Sequence, residues 1–431
     1  MKKIKFLFIL VASIFCLYSC ESTMNNDTQT EVDFESKEMS ISESSIDAVL
    51  SFVKEVYPQK YKTLSSTKEV LKPEFITNVS YKKSKFFAPT ANNTNRELDT
   101  LLSIINFGDN EGFAIVSTKD NQILAVTESG DLSVEDLTKN YSNEDFKNNP
   151  KAVISSYVTN FIIGPTIPVG PAIPTDSIDM GYVVRGPWVT QTQIHPLVQI
   201  KIGQDAPYNN YCPLINNQRC PAGCGPVAVI QMMSANQYPN SIGGLTYSWN
   251  TIISRYKTHA ATQTVLAQWI RTIGEECKIT YGIKNGSGTD IDSIIECIAS
   301  YPRYTNVDTT MSPNYDDAYP MLANSNPLIF ASWGINQEGK TVGHAWVVDG
   351  CIYQKQCVQL FNGKDELIGE YYETRDYVHC NWGWNGSCDG YYITNVFDLN
   401  NGAPIPDENT SGSMNFIFNN NKTLAITYDF K

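Results

Sequence analysis

One segment constrains the fold more than any other, the run that begins at Gly223 and ends at Met233. Pro226 suits the first turn of a helix, where its missing N–H group has no intrahelical partner to lose. The apolar residues after it, with Tyr238-Pro239 as a stop, predict a helix headed by Cys224. Such a helix belongs in a protein interior, so a folded core has to surround it.

Cys224 at the start of that helix has the setting of a reactive thiol. The N–H groups and the positive end of the helix dipole favour a thiolate there. Gly223 and Gly225 leave room for a substrate backbone, and Gln218 precedes the cysteine by six residues. The alternative interpretation is a structural cysteine at the head of a buried helix.

A histidine follows in a suitable place downstream. The run from Pro327 to Trp333 is apolar and predicts a strand, and residues 342–348 predict another that carries His344 near its start. Gly343 and Ala345 are small neighbours that leave the imidazole accessible. The alternative is a core histidine whose ring nitrogens are hydrogen-bonded to neighbouring groups. The other three histidines lack a comparable setting.

The third candidate piece is Asn381-Trp382-Gly383-Trp384. An amide oxygen that accepts from an imidazole N–H fixes the tautomer of the ring, and an indole shields that hydrogen bond from water. We expect Asn381 to orient the histidine and Trp382 or Trp384 to cover it. The alternative is a β-turn rich in asparagine and glycine, with aromatic packing around it.

Length and charge narrow the class of protein. The chain has 431 residues, of which 42% are apolar, so two or three globular domains are possible. The formal net charge of -13 gives no basic surface for neutralising phosphates. We therefore expect no nucleic-acid partner.

Residues 1–20 have the pattern of an export signal. Two lysines precede an apolar stretch from Ile4 to Leu17, which is too short for a stable membrane span. The Leu-Tyr-Ser-Cys ending resembles a bacterial lipobox, which would make Cys20 a lipidated first residue; ordinary signal cleavage is the alternative. Residues 21–37 are polar and acidic, as in a flexible tether. We expect a secreted protein, or a lipoprotein of the outer membrane or cell surface whose only membrane contact is its anchor.

Residues 38–163, which we call the front module, contain neither cysteine nor histidine. A 3.6-residue apolar period from Ser44 to Tyr57 predicts a helix. Three strands are predicted over residues 101–105, 112–117 and 122–127, the last two forming a hairpin. The front module is therefore expected to be a small α+β domain.

Residues 164–180 are predicted to be an exposed linker. Four prolines occur in the twelve residues from Gly164 to Thr175, which disfavours helices and central strands. Exposed backbone of this kind is also where a peptidase would cut if the front module were removable. A plain interdomain spacer is the alternative.

The cysteines indicate an oxidising compartment. Nine remain beyond the signal segment, all after residue 211, and removing one nucleophile leaves eight, enough for four bridges. Metal binding is the competing interpretation, but no Cys-x-x-Cys pair exists, and His379 with Cys380 and Cys388 lacks the usual ligand spacing. We expect no metal and no cofactor.

Together these residues resemble the streptopain family of papain-like cysteine peptidases. The run from Gly112 to Ser117 is similar to a strand of that family's inhibitory propeptide. The remaining match consists of Gln218 with Gly223-Cys224, residues 343–350, and Asn381-Trp382-Gly383-Trp384 with Asp389-Gly390.

The resemblance implies an α+β fold with a papain-like, two-lobed catalytic domain over residues 181–431. A helical lobe would carry Cys224 as nucleophile, and an antiparallel β lobe would carry His344 as general base and acid. Gln218 would be the oxyanion donor, and Asn381 the family's asparagine. The front module would be the inhibitory propeptide, and the substrates would be proteins or peptides cleaved through a thioester.

Two features depart from the family pattern. Thirty-six residues separate His344 from Asn381, which predicts an inserted hairpin near the cleft. The eight additional cysteines suggest stiffening bridges, with free thiols as the alternative. Two other functions stay open, a binding protein on an inactive peptidase scaffold and a papain-like amidase or acyltransferase.

Overall fold

The computed structural model describes residues 43–59, 61, 76–80, 100–117, 122–133, 135–136, 149–155, 180–283, 286–311, 315–335, 341–394 and 423–431. The predicted signal segment and tether lie outside these ranges, as does the linker up to residue 179. Within the described ranges, no helix has both the length and the apolar character needed to cross a membrane.

The described part of the front module is the small α+β unit that its periodicity predicted. One helix packs against a hairpin whose strands are wholly buried, and the predicted helix and three strands are confirmed. Its elements are α1 (Glu43–Val56), β1 (Ile76–Ser80), β2 (Thr100–Asn106), β3 (Phe113–Ser117) and β4 (Ile123–Thr127).

A helical lobe surrounds the predicted cysteine helix, which is confirmed as α2 (Cys224–Asn236). Every residue from Gly225 to Ser234 is buried, so this helix is central to the lobe. The other elements are β6 (Leu214–Ile215), β7 (Gln218–Arg219), β8 (Ser241–Ile242), β9 (Leu245–Thr246), α3 (Trp249–Arg255), α4 (Ala260–Glu276) and α5 (Ile291–Ala299).

The β lobe is built on two long strands that form the predicted inserted hairpin. β12 (Thr341–Asn362) pairs with β13 (Leu367–Asn381) on one edge and with β5 (Met180–Ile194) on the other. The predicted strand around His344 is therefore confirmed but continues far beyond residue 348. The lobe also contains β10 (Tyr304–Met311), α6 (Tyr315–Ala323), β11 (Leu328–Ile335), β14 (Gly390–Ile393) and β15 (Leu424–Phe430).

One antiparallel sheet runs through the front module and the β lobe. Its order is β1-β2-β3-β4-β14-β13-β12-β11-β15-β10, and β5 pairs with β12 beside this path. The join is the pair of β4 and β14, in which Thr127 lies opposite Gly390 and Ala125 opposite Tyr392. The front module thus extends the sheet of the lobe that carries His344.

Two hydrophobic cores lie on either side of β12. Ala345 and Val347 belong to the core that contains α2, whereas Trp346 and Val348 belong to the core shared with the front module. Alternate side chains of a strand point to opposite faces, which explains the division. The predicted α+β class, with the cysteine in a helical lobe and the histidine in an antiparallel β lobe, is confirmed.

Candidate active site

Cys224 is the first residue of α2 and is half-buried. No side chain caps this helix end, and no acidic residue lies in its first turn. The first N–H groups of a helix have no intrahelical acceptor, and the dipole is positive there. The position therefore favours a thiolate over a thiol.

Two hydrogen bonds to the backbone hold the loop before Cys224. Ala222 N donates to Gln204 O at 2.8 Å, and the Pro221 carbonyl accepts from Ser287 Oγ at 2.6 Å. Gly223 has a φ of 88°, and a Cβ added there would lie 2.3 Å from Ile279 Cδ1. Only glycine fits this turn without strain, so the turn fixes the direction in which α2 starts.

His344 lies on β12 with 4% of its surface exposed. Its Nε2 lies 3.0 Å from the carbonyl oxygen of Trp382. Since a carbonyl can only accept, Nε2 carries the ring proton and Nδ1 holds the lone pair. Nδ1 is buried, and no group of the described residues hydrogen-bonds to it. The atom that could accept a proton is thus available.

Aromatic rings enclose the imidazole. The ring of Trp384 stacks on His344 with centroids 4.4 Å apart and planes 8° from parallel, whereas the centroid of Trp382 is 6.3 Å away. Trp384 is therefore the ring that covers the histidine. Burial lowers the pKa of His344 to about 4, although the hydrogen bond to Trp382 opposes the shift. The imidazole is neutral at physiological pH.

Asn381 does not take the role in orienting the histidine that its sequence position suggested. Its Oδ1 accepts from Gln231 Nε2 at 2.8 Å and from the Gly383 N–H at 3.4 Å, while the backbone carbonyl of Trp382 accepts from His344. The reason is geometric, because the Asn381 side chain is directed toward α2. It ties the loop after β13 to the helix of the candidate nucleophile.

The same loop contacts both candidate catalytic elements. A Cβ added to Gly383 would lie 3.1 Å from Val227 Cγ1 in the first turn of α2. The preceding residue, Trp382, binds His344, and its N–H donates to Asp389 Oδ1 at 2.9 Å. The start of α2, the loop and the imidazole therefore form one local structure.

Comparison with known proteins places this arrangement in a family. The sequence model of the Peptidase C10 family matches residues 202–392. Residues 202–392 are therefore similar to that family. The matched segment, which we call the C10 segment, contains all six candidate site residues.

The C10 segment also has curated relatives. Streptopain of Streptococcus pyogenes serotype M28 (strain MGAS6180) is 21% identical over 236 residues, covering 45% of this chain and 53% of the relative. Streptopain of serotype M18 (strain MGAS8232) gives the same figures. The chain thus spans about half the length of the curated relatives it matches, and the predicted resemblance to the streptopain family is confirmed.

Two solved structures from Prevotella intermedia are also similar. A prointerpain A fragment is 20% identical, with a TM-score of 0.49, and the match covers 77% of this chain and 97% of the fragment. Active interpain A cysteine protease is 24% identical, with a TM-score of 0.37, over 47% of this chain and 87% of its own.

Gln218, the predicted oxyanion donor, lies on β7 in a short hairpin with its side chain exposed. A preorganised donor has to be shielded from water, and the Gln218 side chain is exposed. Gln204 has the better setting. It is 3% exposed, and its carbonyl accepts from Ala222, two residues before Cys224.

The segment around Gln204 also touches the loop after β13. Asn385 N donates to Ile202 O at 3.1 Å, and a Cβ on Gly203 would lie 2.6 Å from Asn385 Nδ2. Sequence reasoning missed Gln204 because it is twenty residues from the cysteine. Residue spacing carries no signal that singles out Gln204.

The nine cysteines beyond the signal segment all lie in described ranges, and none forms a disulfide. The four possible bridges are therefore not formed, and the alternative of reduced thiols describes this structure. Burial raises the pKa of Cys212 to about 11 and that of Cys351 to about 12. No cluster of three or more potential metal ligands occurs in the described ranges.

Proposed function

We propose that this chain is an exported cysteine endopeptidase made as a zymogen. The observation that carries the proposal is the Peptidase C10 match over residues 202–392, because it contains Cys224 at a helix N-terminus and a neutral imidazole on the facing strand. The family match supports a peptidase, and the side-chain chemistry supports a thiol nucleophile.

The reaction would proceed through a thioester. His344 Nδ1 takes the proton of the Cys224 thiol, and the thiolate attacks the carbonyl carbon of the scissile peptide bond. The tetrahedral oxyanion collapses as the C–N bond breaks, and Nδ1–H gives its proton to the leaving amine. Water then attacks the thioester while Nδ1 accepts its proton. The acid is released and the thiol is restored.

The oxyanion needs donors that are in place before it forms. The backbone N–H of Cys224 is one candidate, and we propose the side-chain amide of Gln204 as the second. The burial of Gln204 and its backbone tie to the loop before Cys224 support this choice. Gln218 remains the alternative, and its exposure on β7 counts against it.

Latency is supported by what surrounds His344. Trp382 and Trp384 lie in the core that the front module shares with the β lobe. Removing the front module would open that core and change the packing around the two tryptophans that enclose the imidazole. The front module, residues 38–163, would thus act as the inhibitor.

The remaining expectations follow from the sequence. Residues 1–20 would direct export, with Cys20 as the site of a lipid anchor in a surface or outer-membrane protein. Residues 164–180 would contain the processing site, leaving residues 181–431 as the mature enzyme. The substrates would be proteins and peptides.

Incubating the purified chain beside its Cys224→Ala variant tests the function directly. We expect the parent chain to shorten, with a new N-terminus near residues 164–180, and to hydrolyse an unfolded protein. The variant should do neither. A binding protein on the same scaffold would behave identically with and without the thiol, and an amidase would hydrolyse small amides while leaving unfolded protein intact.

A further inference from the structure

The front module is joined to the C10 segment by more than strand pairing. Glu128 follows β4 directly, and its backbone N–H donates to Asp389 O at 2.7 Å. This bond continues the ladder of β4 and β14 by one residue. It places the Glu128 carboxylate over the surface of the C10 segment.

Two cationic side chains meet that carboxylate. His379 Nε2 lies 3.1 Å from Glu128 Oε1, and Lys201 forms a close ion pair with Glu128 Oε2. Each carboxylate oxygen therefore has its own partner. Charge-assisted hydrogen bonds of this kind are shorter and stronger than neutral ones.

The surroundings of His379 favour its cationic form. It is 1% exposed, and its Nδ1 lies 2.6 Å from Asp349 Oδ1, while Asp349 Oδ2 accepts from the Val198 N–H at 2.9 Å. Carboxylates face both ring nitrogens, so both nitrogens have to carry protons. Burial alone would lower the pKa of His379, but Asp349 and Glu128 raise it to about 9.

Lys201 packs against the loop that follows β13. Its Nζ lies 3.6 Å from the buried Asp389 Oδ2, and a Cβ added to Gly386 would lie 3.0 Å from Lys201 Cδ. Burial opposes ionisation of Glu128, yet His379 and Lys201 lower the pKa of that carboxyl to about 2. The electrostatic potential at the Glu128 carboxylate therefore favours an anion, even with Asp349 and Asp389 nearby.

This contact lies next to the candidate active site. Ser129 Oγ donates to Gly386 O at 2.7 Å, and Asp389 accepts from the backbone of Trp382, whose carbonyl binds His344. Glu128 and Ser129 of the front module therefore contact the loop that positions the imidazole, at Asp389 and Gly386.

We infer that His379 and Lys201 form a carboxylate-binding site on the C10 segment, and that Glu128 fills this site to fix the front module over the loop of residues 382–389. Only the description of this contact as inhibitory rests on the proposed function. The carboxylate-binding site is independent of the proposed function, because the contacts of Glu128 with His379 and Lys201 define it.

The test uses the full chain with Cys224→Ala, so that no self-cleavage occurs. Hydrogen exchange of the Tyr391 amide reports opening of the join between β4 and β14, because Tyr391 lies two residues beyond Asp389 in the ladder and alternate residues bond to the same neighbouring strand. Glu128→Ala should speed this exchange by about tenfold or more, because the buried His379 and the half-buried Lys201 lose their shared partner. Asp109→Ala, at an exposed turn of the front module, is the matched control and should leave exchange unchanged.

Formate then tests the chemistry of the site. It should slow exchange in Glu128→Ala more than chloride at equal ionic strength, and it should have no effect on the parent. Glu128→Gln keeps the size of the side chain but not its charge, so exchange should speed up without rescue by formate. This second variant carries the test if Glu128→Ala does not fold.

Two results would overturn the inference: exchange in the Glu128 variants equal to that in Asp109→Ala, or rescue by chloride equal to rescue by formate. Neither readout involves hydrolysis. A chain without peptidase activity can therefore pass this test, and an active peptidase can fail it.

Discussion

Burial of a neutral His344 makes the stability of the folded chain depend on pH in a calculable way. The pKa of His344 is lowered from the ordinary value of 6.5 to about 4. Below pH 6.5, His344 takes up a proton in the unfolded chain but stays neutral in the folded chain until the pH approaches 4. The folded state therefore loses stability as the pH falls from 6.5, and the loss levels off below the folded pKa. One pKa unit corresponds to about 1.4 kcal/mol, so His344 should account for about 3 kcal/mol between pH 7 and pH 4.

The measurement is a comparison of urea unfolding curves in the Cys224→Ala background. The free energy of unfolding is determined at several values between pH 7 and pH 4, with and without His344→Asn. Carboxyl groups titrate in the same range but contribute to both chains, so the difference isolates the histidine. His195→Asn removes an exposed histidine and serves as the control for the loss of an imidazole.

The parent should lose about 3 kcal/mol more than His344→Asn over this range. If the two chains lose the same amount, the imidazole takes up a proton in the folded state at its ordinary pKa. The assignment of a neutral, enclosed base would then be wrong, because that assignment requires His344 to resist protonation.

Three further predictions concern other parts of the site. The pKa of His379 is raised to about 9. The stabilisation that His379 gives the folded state is therefore complete below pH 6.5 and is lost as the pH rises through 9. His379→Gln should remove this loss from the urea unfolding curves. Trp384→Ala should raise the pKa of His344 toward its ordinary value by admitting water, as seen in a histidine NMR titration of the inactive variant, whereas Trp384→Phe should not. Gln204→Ala should lower kcat about 100-fold, while Gln218→Ala should change it little, and the reverse order in peptide hydrolysis would restore Gln218 as the oxyanion donor.

The elements were predictable where the signal was local. The helix from Cys224 and the hairpin of β3 and β4 follow from apolar period and turn residues, which neighbouring residues decide. The inserted hairpin followed from the excess length between His344 and Asn381. Its extent did not, because the apolar and polar residues from Ile352 to Phe361 do not alternate regularly.

The site was less predictable because its contacts are distant in sequence. Whether the histidine binds the side chain of Asn381 or the carbonyl of Trp382 depends on a shift of one residue in the loop. The approach of Gln204 to the loop before Cys224 depends on how two separate segments pack. Neither choice leaves a trace in residue spacing, so only the folded structure separates Gln204 from Gln218.

If the front module is removed by cleavage as proposed, the shared sheet affects the timing of activation. A break in the covalent chain ahead of β5 would leave β4 hydrogen-bonded to β14, with Phe52 still packed on Tyr377 at a ring distance of 4.9 Å. Cleavage and dissociation would therefore be separate events, each with its own rate constant. Because the released piece could rebind, full activity would appear faster on dilution than in concentrated solution.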